Sequence, residues 1–250
     1  MAMTEAIQND IEKTHREGGT SLFLRHLVFQ IVDEAARAFY KDDYAMKCQQ
    51  TAGAVKSLLD RLEIESTLIV GATCFAKVGL DGELKGWTGF FGDEYHVWLQ
   101  TEFHEIVDLS ISQLYRHPRT RISEVPVPAI WWDQRTGCPP LFSYLIDHAI
   151  DRVEFDDPVE QEKYETFVKA VEERFDKTLA CASTNDVGFS KLLTCLDQLN
   201  RWTEENRPWP TGALKILDLP DHLPAWMRDR QTEIERALNA GKAPKSRLLT

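Results

Sequence analysis

Residues 44–71 read YAMKCQQTAGAVKSLLDRLEIESTLIVG, and this stretch decides the fold. From Cys48 onward, Ala52, Val55, Leu58, Leu59 and Leu62 recur at helical spacing, so one apolar face runs along a helix over about 48–62. The period then changes. Ser66-Thr67-Leu68-Ile69-Val70-Gly71 is rich in β-branched residues and predicts a strand. A thiol therefore stands at the start of a helix that leads into a sheet. The unpaired N–H groups and the dipole of a helix N-terminus favour a thiolate over a thiol.

Upstream of this stretch, residues 3–16 predict a polar helix ended by Gly18-Gly19. Thr20 or Ser21 can cap the next helix, over about 21–40, whose apolar face carries Leu24, Leu27, Val28, Ile31, Ala35 and Phe39. Downstream, the glycine-rich run from Gly79 to Gly92, with Asp81-Gly82, predicts a hairpin turn and a flexible loop. His96-Val97-Trp98-Leu99 and Glu105-Ile106-Val107-Asp108-Leu109 predict two strands joined by a turn near 102–104. The proline-rich segment 118–140, with Ala129-Ile130-Trp131-Trp132, reads as extended chain crossing the core. Phe142 to Ile146 suits either a strand or a helix. After Pro158 the pattern is helical over about 159–180, 188–203 and 224–240, with a basic, frayed tail after Gly241.

This predicts an α+β fold, with a core over 1–150 and a helical extension over 151–250 packed on it. The formal net charge of -11 disfavours nucleic acid and anionic membranes as partners. The N-terminal MAMTEAIQND is polar and acidic, unlike a signal peptide, and no apolar run is long enough to span a bilayer. Five cysteines without a CxxC pair fit neither a disulfide framework nor a zinc ribbon. A cytoplasmic protein with free thiols, no metal and no cofactor is the expectation.

Acyl transfer at a cysteine needs a base beside the thiol and a third group to orient that base. His96 and Asp108 are twelve residues apart. On two adjacent antiparallel strands, that spacing sets both on one face, side by side. Taken singly, Cys48 reads as a core cysteine, His96 as a satisfied strand histidine and Asp108 as a strand-ending carboxylate. Their order and joint placement argue for a site. Cys74 reads as core. Cys138, Cys181 and Cys195 read as packing residues or incidental thiols. His104 belongs to a turn, while His26, His117, His148 and His222 show no partner pattern.

The run Cys48-Gln49-Gln50-Thr51-Ala52, then Leu58-Leu59, then Leu68-Ile69-Val70-Gly71, followed by His96-Val97-Trp98-Leu99 and Ile106-Val107-Asp108-Leu109, resembles the core of a transglutaminase-like domain. The resemblance covers about residues 44–110. It implies a papain-like fold, with a nucleophile helix packed on an antiparallel sheet. It implies Cys48 as nucleophile, His96 as base and Asp108 as orienting acid. Ala45-Met46-Lys47-Cys48 departs from the Gly-Gln-Cys-Trp of calcium-dependent transglutaminases, and no Arg-Gly-Gly-x-Cys of arylamine acetyltransferases occurs. The implied activity is a cysteine hydrolase of peptidase, amidase or deamidase type. Its substrate is a peptide, a protein or a small amide. Acyl transfer to an amine and a binding module without catalysis are the alternatives, and no motif sets the oligomeric state.

Tyr44, Gln49 and Gln50 are candidate oxyanion donors, with Tyr44 placed to reach back over the thiol. Trp87, Phe90 and Phe91 are candidate substrate contacts on a lid formed by 86–92, which alternatively reads as an ordinary glycine-rich loop with apolar anchors. Trp131 and Trp132 read as core.

Overall fold

A computed structural model describes residues 5–90, 95–117, 124–181, 187–218, 224–241 and 247–249. Three helices open the chain: α1 (Glu5–Glu17), α2 (Leu22–Tyr40) and α3 (Cys48–Arg61). The Ser21 side chain accepts from the Leu24 N–H and so caps α2. A tight helical turn, Lys41–Met46, joins α2 to α3. The strands β1 (Ser66–Val78), β2 (Leu84–Phe90), β3 (His96–Thr101), β4 (Glu105–Asp108), β5 (Ala129–Asp133) and β6 (Phe142–Ile150) follow. Beyond them lie α4 (Pro158–Cys181), β7 (Leu192–Leu193), α5 (Leu196–Glu204), α6 (Pro208–Ala213), α7 (Ala225–Asn239) and β8 (Arg247–Leu249).

All eight strands form one sheet in the order β7-β5-β4-β3-β1-β6-β8, with β2 also on β1. Every pair is antiparallel except β5 with β7. The protein is thus α+β with a largely antiparallel sheet. Each sheet face carries its own apolar core. On one face, α2, α3 and α4 bury Leu27, Leu58, Leu59 and Phe167 against Val70, Val97 and Leu99. On the other, Trp98, Trp132 and Phe142 meet Trp202 and Trp209 from α5 and α6. Leu58 and Leu59 are fully buried, and each such burial contributes about 1.5–3 kcal/mol. Because β3 and β4 are covered on both faces, their residues are buried almost continuously rather than alternately.

Three sequence expectations are corrected and one open reading is resolved. The stretch 86–90 is no loop: it belongs to β2, paired with β1 from Thr73↔Phe90 to Val78↔Leu84. Gly89 serves close packing, since a Cβ there would lie 2.0 Å from the Thr73 carbonyl oxygen. Residues 192–193 form β7 within the segment expected to be helical, and α5 begins only at Leu196. Residues 247–249 are not frayed, because they pair with β6 as β8. Phe142 to Ile150, ambiguous in sequence, is strand along its whole length. The last three outcomes share a cause: pairing with distant chain overrides local composition.

The sheet also splits. Along one edge of β1, β3 pairs from Ser66 to Gly71, and β2 takes over from Thr73. His96 is the last residue of the first pairing and Phe90 the first of the second. Among the described residues, the break between the two pairings lies by the first turn of α3, since Phe90 and Cys48 line one cavity.

Candidate active site

Cys48 is the first residue of α3, and no side chain caps this helix. The Lys47 carbonyl already accepts from the Thr51 N–H at 2.9 Å. The N–H groups of Cys48, Gln49 and Gln50 precede that bond and have no partner within the helix. The thiol is partly exposed, whereas Cys74 is fully buried. Burial pushes the Cys74 thiol well up, and pushes Cys138 up to about 12. Neither supplies a thiolate at neutral pH.

His96 and Asp108 meet as the spacing predicts, with one adjustment. The β3–β4 register sets Leu99 against Val107, so Trp98 stands opposite Asp108 and His96 lies diagonally from it. His96 Nε2 and Asp108 Oδ2 are 2.7 Å apart, both side chains fully buried. The other oxygen, Oδ1, accepts from Ser110 Oγ and from the Ile111 N–H, each at 3.1 Å. Tyr144 on β6 donates its hydroxyl to Oδ2 at 3.1 Å. Four groups thus fix the carboxylate, and the carboxylate fixes the ring. The imidazole is further bounded by Phe90, stacked at 5.9 Å, and by Trp98 at 6.1 Å.

The second ring nitrogen, Nδ1, is buried and makes no hydrogen bond of ordinary geometry. The Cys48 thiol nevertheless acts on the ring electrostatically. Burial disfavours a charged imidazole, but Asp108 and then Cys48 outweigh that effect and raise the His96 pKa to about 10. His96 shares the side-chain parity of Trp98, so its ring belongs to the face opposite the one on which α3 packs. Thiol and imidazole converge only because His96 ends the strand pairing, where the first turn of α3 reaches the sheet's gap.

The remaining candidates divide. Gln49, Gln50 and Phe90 line a cavity of about 350 Å³ that contains Cys48, together with Ala45, Met46, Tyr95, His117 and Phe155. Tyr44 does not serve as expected: its hydroxyl donates to Asp33 Oδ1 at 3.1 Å in the core, where Arg37 also holds that carboxylate. Trp87 faces the second core and does not line the cavity. Phe91 lies outside the described residues.

Sequence reasoning missed Tyr144, Tyr95 and Phe155. Tyr144 sits in an apolar strand, and a lone tyrosine there gives no sign of a buried carboxylate beside it. Phe155 comes from the link between β6 and α4, far from Cys48 in the chain. Among the described residues, no group of three His, Cys, Asp or Glu side chains could hold a metal ion, and no helix is long and apolar enough to cross a membrane.

Compared with known proteins, the chain matches no family model, and no curated protein or solved structure is significantly similar to it.

Proposed function

We propose that the protein is a cysteine hydrolase of transglutaminase-like, papain-like type that cleaves an amide or related acyl bond. One observation carries this reading. An imidazole bound to Asp108 at 2.7 Å leaves its other nitrogen unbonded beside a thiol at an uncapped helix start.

The chemistry follows from the roles. The proton that His96 carries on Nδ1 has come from Cys48, so the two stand as an ion pair, and the sulfur attacks the substrate carbonyl carbon. The N–H groups of the first turn of α3 are the donors for the resulting oxyanion, with the Gln49 and Gln50 amides at the same rim. As the C–N bond breaks, His96 returns its proton to the leaving amine and a thioester remains. Water, losing a proton to His96, attacks the thioester. The acid leaves and the thiol is restored. Asp108 keeps the ring in one orientation and stabilises its charge, as the third member of a triad does.

Thiol reactivity tests the reading. Iodoacetamide at neutral pH is expected to alkylate Cys48 much faster than the exposed Cys195, and His96→Asn is expected to abolish the difference. Equal rates at the two cysteines in the native protein would instead favour a binding module without catalysis.

A further inference from the structure

We infer that the cavity beside Cys48 receives an uncharged, apolar substrate side chain of aromatic size, set next to the carbonyl that is attacked. This rests on Cys48 being the nucleophile.

The lining supports it. Met46, Phe90, Tyr95 and Phe155 form the walls, and the polar groups of the first turn of α3, Gln49 and Gln50, are neutral amides. Its volume of about 350 Å³ suits a single side chain and its adjoining peptide group rather than a large ligand. Phe90 and Phe155 are held in place before anything binds. Phe90 is fixed by its strand pairing with Thr73, by stacking on His96 at 5.9 Å and by an edge contact with His117 at 5.0 Å. Phe155 packs edge-on against Tyr164 at 5.7 Å, and its N–H donates to Gln161 Oε1 at 3.0 Å. The Tyr95 hydroxyl meets Gln49 Oε1 at 3.5 Å across the mouth.

Among the described residues, two cations adjoining lining residues in the chain are engaged elsewhere. Lys47 pairs with Glu160 at 3.6 Å and lies over the Tyr40 ring, and Arg116 pairs with Asp42 at 3.3 Å. Among the described residues, no carboxylate, lysine or arginine lines the cavity. Among the described lining residues, an aromatic substituent exchanges water for three aromatic walls, whereas an ammonium or carboxylate finds no carboxylate, lysine or arginine to pair with.

Chloromethyl ketones of N-acetylphenylalanine, N-acetylaspartate and N-acetyllysine test this on the intact protein. Each forms a bond from the Cys48 sulfur to its methylene carbon and expels chloride. Their rates are divided by those with a free small thiol, and iodoacetamide labelling of Cys48 is measured alongside. The phenylalanine probe is expected to react about tenfold or more faster than either charged probe, a ratio in keeping with selection by one apolar pocket. Phe155→Lys should move the ratio toward the aspartate probe. Rapid iodoacetamide labelling with no preference for the phenylalanine probe would overturn the inference and leave the nucleophile standing. Slow labelling of Cys48 by every reagent, iodoacetamide included, would overturn both.

Discussion

The two ends of β4 each bury a carboxylate, and they are built for opposite purposes. Glu105 receives the Thr20 N–H and hydroxyl, the Thr101 hydroxyl, the Trp131 indole N–H and the Arg25 guanidinium. Every oxygen is saturated and the charge is neutralised within the cluster, which ties the start of α2 to the sheet. Asp108 is equally well held, by Ser110, Ile111 and Tyr144, but one of its partners is an imidazole with a nitrogen left over. The first carboxylate ends a network. The second holds an imidazole on which Cys48 also acts. Buried charge alone therefore does not mark a site; an unfilled valence at the end of the chain of hydrogen bonds does.

Mutations at the two ends should separate reactivity from stability. At the Asp108 end, His96→Asn should lower Cys48 alkylation by roughly 100- to 10,000-fold, the usual contribution of a positioned base. The circular-dichroism spectrum should stay native, and reactivity kept within tenfold of the native rate would remove His96 from the mechanism. At the other end, Glu105→Gln should cost about 3–5 kcal/mol in urea unfolding, because it leaves the largely buried Arg25 without its counter-charge. Alkylation of Cys48 in the protein that remains folded should hardly change. If instead Glu105→Gln slows alkylation as much as His96→Asn does, the two ends are not independent.

The charge on His96 also makes stability depend on pH. Its folded pKa is raised to about 10, so its contribution is complete below the unfolded value of about 6.5 and is lost as pH rises toward 10. The melting temperature should accordingly fall between pH 7 and 10, and the fall should flatten in His96→Asn. A native protein with a flat profile over that window would show that the imidazole is not held charged. The smallest effect is expected for Tyr144→Phe, which deletes one hydrogen bond to a carboxylate, about 1.5–3 kcal/mol. Its signature beyond stability is a shift in the pH profile of Cys48 alkylation, since the hydroxyl shares Oδ2 with the imidazole. An unmoved profile would reduce Tyr144 to a packing residue.

Local sequence gave α2 and α3 because their apolar residues recur at 3 and 4 positions, and a face so patterned has one low-energy use. It gave β3 and β4 through their β-branched and aromatic content and the short turn between them, where His104 takes a positive φ of 60°. The even spacing of His96 and Asp108 sufficed to put both on one face, since strand side chains alternate with period two. It could not tell which face. That depends on what packs against Trp98, and the answer comes from α5 and α6, a hundred residues later in the chain.

Tyr44 shows the same limit. Nearness in sequence to Cys48 suggested an oxyanion donor, yet Asp33 from the preceding helix captures its hydroxyl. Trp87 and Phe90 share a glycine-rich run that reads as a loop until β1 is known to pair with it.

The sequence by itself determined the elements that carry the thiol, the imidazole and the carboxylate, because short-range periodicity and even strand spacing are local properties of the chain. Only the tertiary structure decided that the sheet opens between Phe90 and His96, that Tyr144 braces Asp108 and that Phe155 closes the pocket. Each of those rests on contact between segments whose separation in sequence leaves no periodic trace, and is set by how two cores share a single sheet.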